Sequence, residues 1–261
     1  MKRLNTFFYL CSIALCSFTL TSCGGDDDAN DSHGGGGYTS KRILSVLTDD
    51  NGAQFNNYFT YDKQGRVVSV KKNSIDGTST NTTIRTYTYT DTKIIREIIR
   101  EVSGNIKSFY LSDGRIVREE SIDGSRSIVY VYTYDNNGFI LTRTSYTDNI
   151  KSGIRNYKWE NGNLIEESIS GRKVVYTYTN IPWLKGMFSC YEEDYWDPVL
   201  RGMGYYGNLP KCLPATISRD NGTPYIAETY KHSLSGENVG KLEVYKKEHT
   251  SPRLTYTFTW Q

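Results

Sequence analysis

The chain has 261 residues, of which 37% are hydrophobic and 23% charged, which is enough for one sizeable core. Its 22 Tyr and 23 Gly against 6 Pro favour strands and tight turns over helices. The formal net charge is +2, and removal of Lys2 and Arg3 with the leader described below brings it to zero. Such a balance argues against a nucleic-acid-binding surface, so no nucleic-acid partner is predicted.

Residues 1–22 have the order of a secretory signal peptide, since a basic start precedes an apolar stretch too short to span a membrane. The stretch ends in Leu20-Thr21-Ser22-Cys23, which resembles the bacterial lipobox. Cys23 is therefore the predicted lipidation site, and the lipid bilayer is the predicted partner of its acyl chains. A plain secretory leader with an incidental cysteine is the alternative.

The residues that follow Cys23 predict a solvated tether. Residues 24–37 are rich in Gly and Asp and contain no large apolar side chain that would join a core. An acidic run directly after a lipidated cysteine resembles the signal that sends Bacteroidota lipoproteins to the outer face of the outer membrane. The predicted location is thus the extracellular face of the outer membrane, and the alternative is an acidic spacer with no sorting role.

An aromatic-x-aromatic element followed by a Gly- or Asn-containing turn recurs along the chain. The second positions of the copies are about 23 residues apart, which predicts one β-hairpin per repeat. Asn-Gly and Asp-Gly supply the positive φ angles that hairpin turns need. The second positions are Tyr61, Tyr89, Leu111, Tyr134, Trp159 and Tyr178.

Alternation within the repeats gives one aromatic and one polar face. Tyr130, Tyr132 and Tyr134 alternate with Val129, Val131 and Thr133. The length of the chain predicts about 14 to 17 strands, and that many antiparallel strands usually curl or close. Residues 38–261 are therefore predicted to be all-β, an antiparallel barrel-like or strongly curved sheet. Its polar second face predicts a soluble barrel rather than a membrane-inserted one.

The repeat also carries a family resemblance. Tyr-x-Tyr-Asp-x-x-Gly units such as residues 132–138 resemble the tyrosine-aspartate repeats of Rhs-type shells. With the lipobox and the tether, the chain is similar to a Bacteroidota lipoprotein family of unknown function with a porin-like fold. The resemblance implies a large antiparallel barrel and no catalytic residue, because its motifs are turn and strand motifs. One such motif is the late stretch Tyr205-Tyr206-Gly207-Asn208-Leu209-Pro210.

The repeat lapses over residues 180–212, where several large aromatic side chains leave the strand pattern together. Aromatic faces next to Asp and Glu suit stacking and hydrogen bonding to a sugar or a peptide. The alternative is that these rings plug the barrel and fill its lumen. The candidate ligand-binding residues are Trp183, Tyr195, Trp196, Tyr205 and Tyr206.

Two cysteines remain once the leader and the lipidated residue are set aside. In an exported protein Cys190 and Cys212 predict a disulfide across the irregular segment. Two reduced, separately buried thiols are the alternative.

The sequence offers only weak signals of a catalytic or metal site. The three histidines have no cysteine or second histidine at ligand spacing, so no metal, no cofactor and no catalytic residue is predicted. Glu119-Glu120 and Glu166-Glu167 cannot form glycosidase pairs, because neighbours on a strand point to opposite faces. Solvated pairing with Lys and Arg on adjacent strands is expected for them. The alternative is a pair of carboxylates brought together from different strands.

The predicted function is a surface lipoprotein that acts as a non-catalytic binding module for a glycan or a peptide. A structural component of an outer-membrane uptake complex, with partner proteins unknown, is the first alternative. A glycan-processing enzyme is the second.

Overall fold

A computed structural model describes residues 42–76, 79–99, 104–184, 186–187, 196–220 and 225–261. Cys23, the tether, Cys190 and Tyr195 lie outside these residues. The strands are β1 (Ile43–Asp50), β2 (Ala53–Tyr61), β3 (Val67–Asp76), β4 (Ser79–Tyr89), β5 (Lys93–Ile99), β6 (Gly104–Ser112), β7 (Arg115–Asp123), β8 (Arg126–Tyr134), β9 (Ile140–Thr147), β10 (Ile150–Glu160), β11 (Asn163–Ile169), β12 (Arg172–Pro182), β13 (Cys212–Asp220), β14 (Tyr225–Ser235), β15 (Asn238–Lys246) and β16 (Leu254–Trp260), and the helix α1 is Pro198–Gly202.

The strands form one closed antiparallel barrel. Each strand pairs with the next one along the chain, and β16 returns to pair with β1. Val46 of β1 is thereby opposite both Phe258 of β16 and Asn57 of β2. The structure confirms the all-β antiparallel prediction and its strand number. It also decides between the two predicted forms, since the sheet closes completely.

The aromatic face of each strand is the inner face. Tyr132 of β8 and Phe258 of β16 are buried, whereas Thr133 and Thr259 on the opposite face are exposed. Such alternation is what a closed barrel with a filled interior requires. The inner side chains form one continuous hydrophobic cluster that takes in residues of nearly every strand.

The outer face is less polar than the sequence predicts. Four isoleucines at one end of the barrel point outward and are at least half exposed, on the face that the sequence predicts to be polar. They belong to neighbouring strands and are Ile75, Ile99, Ile106 and Ile122. They lie outside the aromatic copies, so the repeat does not indicate them.

The aromatic repeat has a specific structural task, which is to satisfy carbonyl groups at β-bulges. Several odd-numbered strands have a register shift close to their first residue. The second aromatic residue of the following strand donates a side-chain hydrogen bond to the backbone oxygen of the residue at that shift. These bonds are Tyr61 to Ile43 (2.9 Å), Tyr89 to Val67 (2.7 Å), Tyr134 to Ile116 (2.6 Å), Trp159 to Ile140 (2.8 Å), Tyr178 to Leu164 (2.6 Å) and Trp260 to Val239 (2.8 Å).

The third repeat supports this interpretation, because its second position is Leu111, whose side chain has no hydrogen-bond donor. Leu111 lies on β6, and the neighbouring strand β5 pairs with both of its partners without a register shift. Where the bulge is missing, the donor is missing as well. The repeat therefore encodes both the hairpins and the bulges that bend the sheet into a barrel.

The two ends of the barrel differ. At one end, here called the plugged end, Arg42 and Gln261 exchange backbone hydrogen bonds of 3.2 and 2.8 Å. The segment between β12 and β13 also lies there. It begins after Pro182 and ends before Cys212, close to the irregular segment of residues 180–212 that the sequence predicts, and it contains α1, which was not predicted. No helix among the described residues has the length and apolar character to cross a bilayer.

The segment after β12 crosses the lumen, and we call its described residues, 183–184, 186–187 and 196–211, the plug. Met187 and Val199 face Ile43 and Val67 of the first strands around a small void. On another side, the backbone oxygen of Tyr205 accepts a hydrogen bond from the N–H of Ile116 at 2.7 Å. The plug thus spans from β1 and β3 to β7 and fills this end of the lumen.

Candidate functional site

The centre of the plug is an aromatic cluster built from both the plug and the barrel wall. The rings of Trp196 and Tyr206 meet edge to face with their centroids 4.7 Å apart. Trp196 also packs against Tyr132 at 5.9 Å and Tyr157 at 5.6 Å, and Arg201 lies over its ring. Such contacts stabilise the plug through burial and ring packing.

A buried carboxylate lies beneath this cluster. Glu119 of β7 is 1% exposed and accepts hydrogen bonds from the hydroxyls of Tyr132 and Tyr206, both at 2.9 Å. Lys107 of the adjacent strand forms an ion pair with it. Burial, together with the Glu119 charge, raises the pKa of the Tyr132 and Tyr206 hydroxyls well above the ordinary value. Both tyrosines therefore remain proton donors to Glu119.

A second buried carboxylate holds α1 to the wall. Asp197 is the N-cap of α1 and accepts from the backbone N–H groups of Val199 and Leu200, both at 3.1 Å. The same carboxylate accepts from Tyr87 of β4 at 3.2 Å and forms an ion pair with Arg96 of β5 at 3.0 Å. One side chain thus joins the helix to two strands.

The motif Tyr205-Tyr206-Gly207-Asn208 fits the plug to the β8–β9 turn. Gly207 has a φ of +85°, and a Cβ there would lie 2.5 Å from the oxygen of Gly138. Asn208 donates its backbone N–H to that same oxygen at 3.0 Å, and its side chain donates to the oxygen of Asn137 at 2.9 Å. The close approach requires glycine at position 207.

The structure brings some of the predicted site residues together. Trp196 and Tyr206 share the central cluster, and Tyr206 is fully buried. Tyr205 is half-buried beside Tyr89. Trp183 is buried outside the central cluster, and its backbone N–H donates a hydrogen bond to the backbone oxygen of Lys211. The described members of the set all pack within the plugged end, and contact with a ligand stays a prediction.

The predicted disulfide also stays a prediction. Cys212 is buried at the start of β13, and its backbone N–H donates to the side chain of Asn163 at 3.0 Å. Its proposed partner Cys190 lies outside the described residues.

The adjacent glutamates point to opposite faces, as predicted, but the inner ones are not solvated. Glu167 is 4% exposed, forms an ion pair with Arg155 and accepts from Tyr176 at 2.8 Å. Glu166, on the outside, forms a half-exposed pair with Lys173. The expectation of solvated pairing is therefore wrong for Glu119 and Glu167, because both share the inward face of the aromatic residues.

Sequence analysis missed a row of inward cations, which we call the cationic row. It consists of Lys72, Arg85, Arg96 and Lys107, one from each of β3, β4, β5 and β6. Arg96 is directly opposite Lys107 in the register. Arg85 is opposite Val70 and Ile98, which places it diagonally between Lys72 and Arg96. Tracing the alternation outward from buried Val70 and Tyr87 would have revealed that these cations face inward.

The cationic row lies on the side of the plug away from residue 42, where the inner face becomes accessible. Along β4 the inward residues change from buried Tyr87 through partly buried Arg85 and Thr83 to exposed Asn81. Along β15 they change from buried Val244 to exposed Lys246. We call the end of the barrel that carries these exposed inner residues the open end.

Among the described residues no group of three or more His, Cys, Asp or Glu side chains is placed to hold a metal ion.

A family model describes relatives of this chain as a domain of unknown function with a porin-like fold (DUF4595), and it matches residues 59–239. That match spans more than half of the chain. The chain belongs to the DUF4595 family. The region that matches the DUF4595 model runs from the end of β2 to the start of β15 and includes the whole plug.

Solved structures share the fold that the DUF4595 match indicates. A porin-like protein from Bacteroides uniformis aligns with a TM-score of 0.66 at 14% identity, over 84% of this chain and 98% of its own. A porin-like protein from Bacteroides vulgatus aligns with a TM-score of 0.60 at 14% identity and the same coverages. At this identity the likeness shows the fold alone. No curated protein matches the chain.

Proposed function

We propose that this DUF4595 protein is a lipid-anchored protein of the outer membrane, displayed on the extracellular face, that binds a glycan without catalysis. The observation that carries the proposal is the difference between the two ends of the barrel. One end is filled by the plug, and at the other the polar inner face is accessible. In this proposal the accessible inner side chains of that end form the ligand-contact surface.

The plug argues against a conduit. Barrels of about 16 strands have an interior wide enough for an aqueous channel unless something occupies it. Here one buried ion pair and one buried hydrogen bond fix the occupant to the wall, since Asp197 of the plug pairs with Arg96 and the Tyr206 hydroxyl donates to Glu119. Breaking such buried contacts is costly, which favours a plug that stays in place.

The position of residue 42 supports the proposed orientation. The chain enters the barrel at the plugged end, where Arg42 bonds to Gln261. The predicted tether and Cys23 precede this point in the sequence. An anchored molecule would therefore hold its plugged end towards the lipid and its open end towards the medium.

The inner carboxylates support a non-catalytic role. Glu119, Glu167 and Asp197 each hold a cation and accept at least one tyrosine hydroxyl. A general acid or base needs a carboxylate within reach of the substrate. These three are instead committed to neighbouring side chains in the wall and the plug.

Closure of the sheet favours a glycan over a peptide. Extended peptides are commonly bound by adding a strand to a free sheet edge. This sheet has no such edge, because β1 and β16 pair with each other. Recognition at the open end must therefore use inner side chains, which suits the hydroxyl and acidic groups of a sugar chain.

A structural role in an outer-membrane assembly is the second candidate. The observation that favours it is the outward isoleucine group at the open end, where Ile99, Ile106 and Ile122 are 53%, 60% and 68% exposed. Clustered exposed apolar side chains mark surfaces that contact other proteins.

Blocking the open end tests the binding proposal. Thr83→Trp would place an indole on the inner face, whereas Thr82→Trp places the same ring outside. On a glycan array, the full-length protein and the Thr82→Trp variant should bind the same glycan, and the Thr83→Trp variant should lose it. Equal binding by both variants would remove the open end as the site.

Mass spectrometry of the membrane fraction tests the anchor. It should find a diacylated Cys23, and a different mature N-terminus would contradict anchoring.

A further inference from the structure

Four polar side chains meet where the plug lies against β6, β7 and β8. Lys107 of β6 points its amine at Glu119 of β7, and Nζ lies 2.5 Å from the carboxylate oxygen Oε1. The other carboxylate oxygen, Oε2, accepts hydrogen bonds from the hydroxyls of Tyr132 and Tyr206, both at 2.9 Å. We call these four residues the Lys–Glu cluster. An amine and a carboxyl group in contact are the two reactants of an amide.

The register of the sheet holds the two reactive groups together. Lys107 is opposite Ser121, and Phe109 is opposite Glu119, so Lys107 and Glu119 are diagonal neighbours on the inner face. Diagonal neighbours are about 7 to 8 Å apart, a gap that these two long side chains span. Groups held in a well-oriented contact react as if each were present at about 10⁵ M or more. The fold therefore favours a bond that a dissolved amine and acid form very slowly.

Burial favours the uncharged forms of the two groups, which are the forms that react. The side chain of Glu119 is 1% exposed and that of Lys107 is 18% exposed. Loss of solvation penalises an ammonium and a carboxylate relative to a neutral amine and a neutral acid. A desolvated, neutral lysine amine is a nucleophile. Transfer of one proton from Nζ to Oε1 across their contact produces both neutral partners at once.

The two tyrosine hydroxyls lie where negative charge would develop. Attack of the amine on the carboxyl carbon of Glu119 places that charge on Oε2, and two donors at 2.9 Å have the spacing of an oxyanion hole. Tyr132 belongs to the wall and Tyr206 to the plug, and the ring of Trp196 packs against both. The pair of donors is therefore complete only when the plug is in place.

We propose that Lys107 and Glu119 condense into an intramolecular amide bond that joins β6 covalently to β7. The nitrogen lone pair of Lys107 forms the new bond to Cδ of Glu119, and the bond between Cδ and Oε1 breaks. Two protons leave the ammonium nitrogen and end on Oε1, which departs as water, so the step needs no other reactant. The protein reacts with itself once, and this modification does not depend on the proposed glycan binding.

A second inner carboxylate has the same surroundings without the nucleophile. Glu167 of β11 pairs with Arg155 of β10 and accepts from the hydroxyl of Tyr176 of β12, which repeats the order of strands in the Lys–Glu cluster. A guanidinium stays protonated in proteins, so this pair remains ionic. The amine of Lys107 is the feature that makes condensation possible at the first of the two sites.

Peptide mass spectrometry of the full-length protein tests the bond, because amide formation removes one water and blocks tryptic cleavage after Lys107. We expect residues 101–115 and 119–126 to be recovered as one joined species, lighter than the two peptides together by the mass of one water. Fragmentation should locate the link on Lys107 and Glu119. Recovery of residues 101–107, 108–115 and 119–126 as separate peptides would overturn the proposal.

Matched variants separate the reaction from the fold. Lys107→Arg keeps a cation beside Glu119 without a nucleophilic amine, so it should keep the circular dichroism spectrum of the unsubstituted protein and release residues 119–126 at full mass. In a time course after cell-free synthesis, Tyr206→Phe should form the joined species about a hundredfold more slowly, because one oxyanion donor is lost. Tyr178→Phe is the control, since Tyr178 donates to the backbone oxygen of Leu164.

Two further results would contradict the assignment. A Lys107→Arg variant that also yields a species lighter by one water would show that the water is lost elsewhere. Formation of the joined species at the same rate in Tyr206→Phe and Tyr178→Phe would show that the hydroxyls of the cluster take no part in the reaction. Both results leave glycan binding untouched, because the glycan array measures it separately.

Discussion

At the scale of single residues, the hydroxyl and indole groups of the repeat satisfy backbone oxygens that bulges would leave without partners. Tyr134 donates to the oxygen of Ile116 at 2.6 Å, and the Ile116 N–H donates in turn to Tyr205 of the plug. One bulge residue thus links the barrel wall to the plug. Burial raises the pKa of the Tyr61 and Tyr134 hydroxyls, to about 12 for Tyr61, so these donors keep their protons.

Tyr134→Phe tests this role. Loss of the hydroxyl leaves the buried oxygen of Ile116 without its side-chain donor, and the free energy of unfolding should fall by about 1 to 3 kcal/mol in urea titration. Tyr110→Phe is the control, because Tyr110 bonds to a partly exposed Glu120 on the outer face. Equal losses in the two variants would show that the bulge is not the reason for the tyrosine.

His232 gives the fold a pH dependence. It lies on the inner face of β14 opposite Leu242, and burial lowers its pKa from 6.5 to about 4. Between these two values the unfolded chain binds a proton that the folded chain does not, so stability falls as pH falls from about 6.5 to about 4. We expect the urea midpoint to drop less from pH 7.5 to pH 4.5 in His232→Gln than in the unsubstituted protein. The same drop in both proteins would assign the acid sensitivity to other groups.

At the scale of elements, the strand β11 places a buried charge and a more exposed charge at neighbouring positions. Glu166 and Glu167 are neighbours on β11, yet Glu167 pairs with buried Arg155 and Glu166 with half-exposed Lys173. The value of an ion pair depends on burial, because a buried charge that loses its partner cannot be solvated.

The two glutamates therefore predict different outcomes. Glu167→Gln leaves Arg155 buried without its carboxylate and should cost about 3 to 5 kcal/mol of unfolding free energy. Glu166→Gln removes a surface pair and should cost about 0 to 1 kcal/mol. Chemical denaturation of both variants measures the difference. A cost for Glu166→Gln as large as that for Glu167→Gln would contradict the assignment of faces.

The plug is the other element whose contacts are testable. Trp196 packs against Tyr132, Tyr157 and Tyr206, so Trp196→Ala should empty a packed aromatic site and cost about 3 to 5 kcal/mol. Thermal unfolding measures this cost, and the glycan array measures binding. A variant that keeps its stability and loses glycan binding would return Trp196 to the ligand-contact role that the sequence predicts.

At the scale of the whole molecule, the small net charge of +2 conceals an uneven distribution. The tether of residues 24–37 is acidic, and the inner face carries the cationic row, in which Asp197 and Glu119 pair with Arg96 and Lys107. Composition averages over both regions, so it does not reveal where the charged side chains lie. The difference matters because binding depends on the local field rather than on the total charge.

The sequence predicted the local features of the fold and missed those that depend on closure. Turn residues and alternation predicted the hairpins, the inward aromatic faces and the strand number, because these are set by neighbours along the chain. Asp197 meets Arg96, and Tyr206 meets Glu119, only after the plug folds across a closed barrel. The cationic row was hidden for a similar reason, since its members come from four strands and share no motif.

The central claim is that the barrel is plugged at one end and open to a ligand at the other. Peptide-resolved maleimide labelling of Thr83→Cys, Thr82→Cys and Val70→Cys in the full-length protein tests it most directly. Thr83 faces inward near the open end, Thr82 faces outward, and Val70 is 1% exposed on the inner face. The account predicts that Thr83→Cys reacts at a rate close to that of Thr82→Cys and is protected by a bound glycan, while Val70→Cys reacts very slowly. A Thr83→Cys variant that labels as slowly as Val70→Cys would show a lumen filled at both ends and contradict the account.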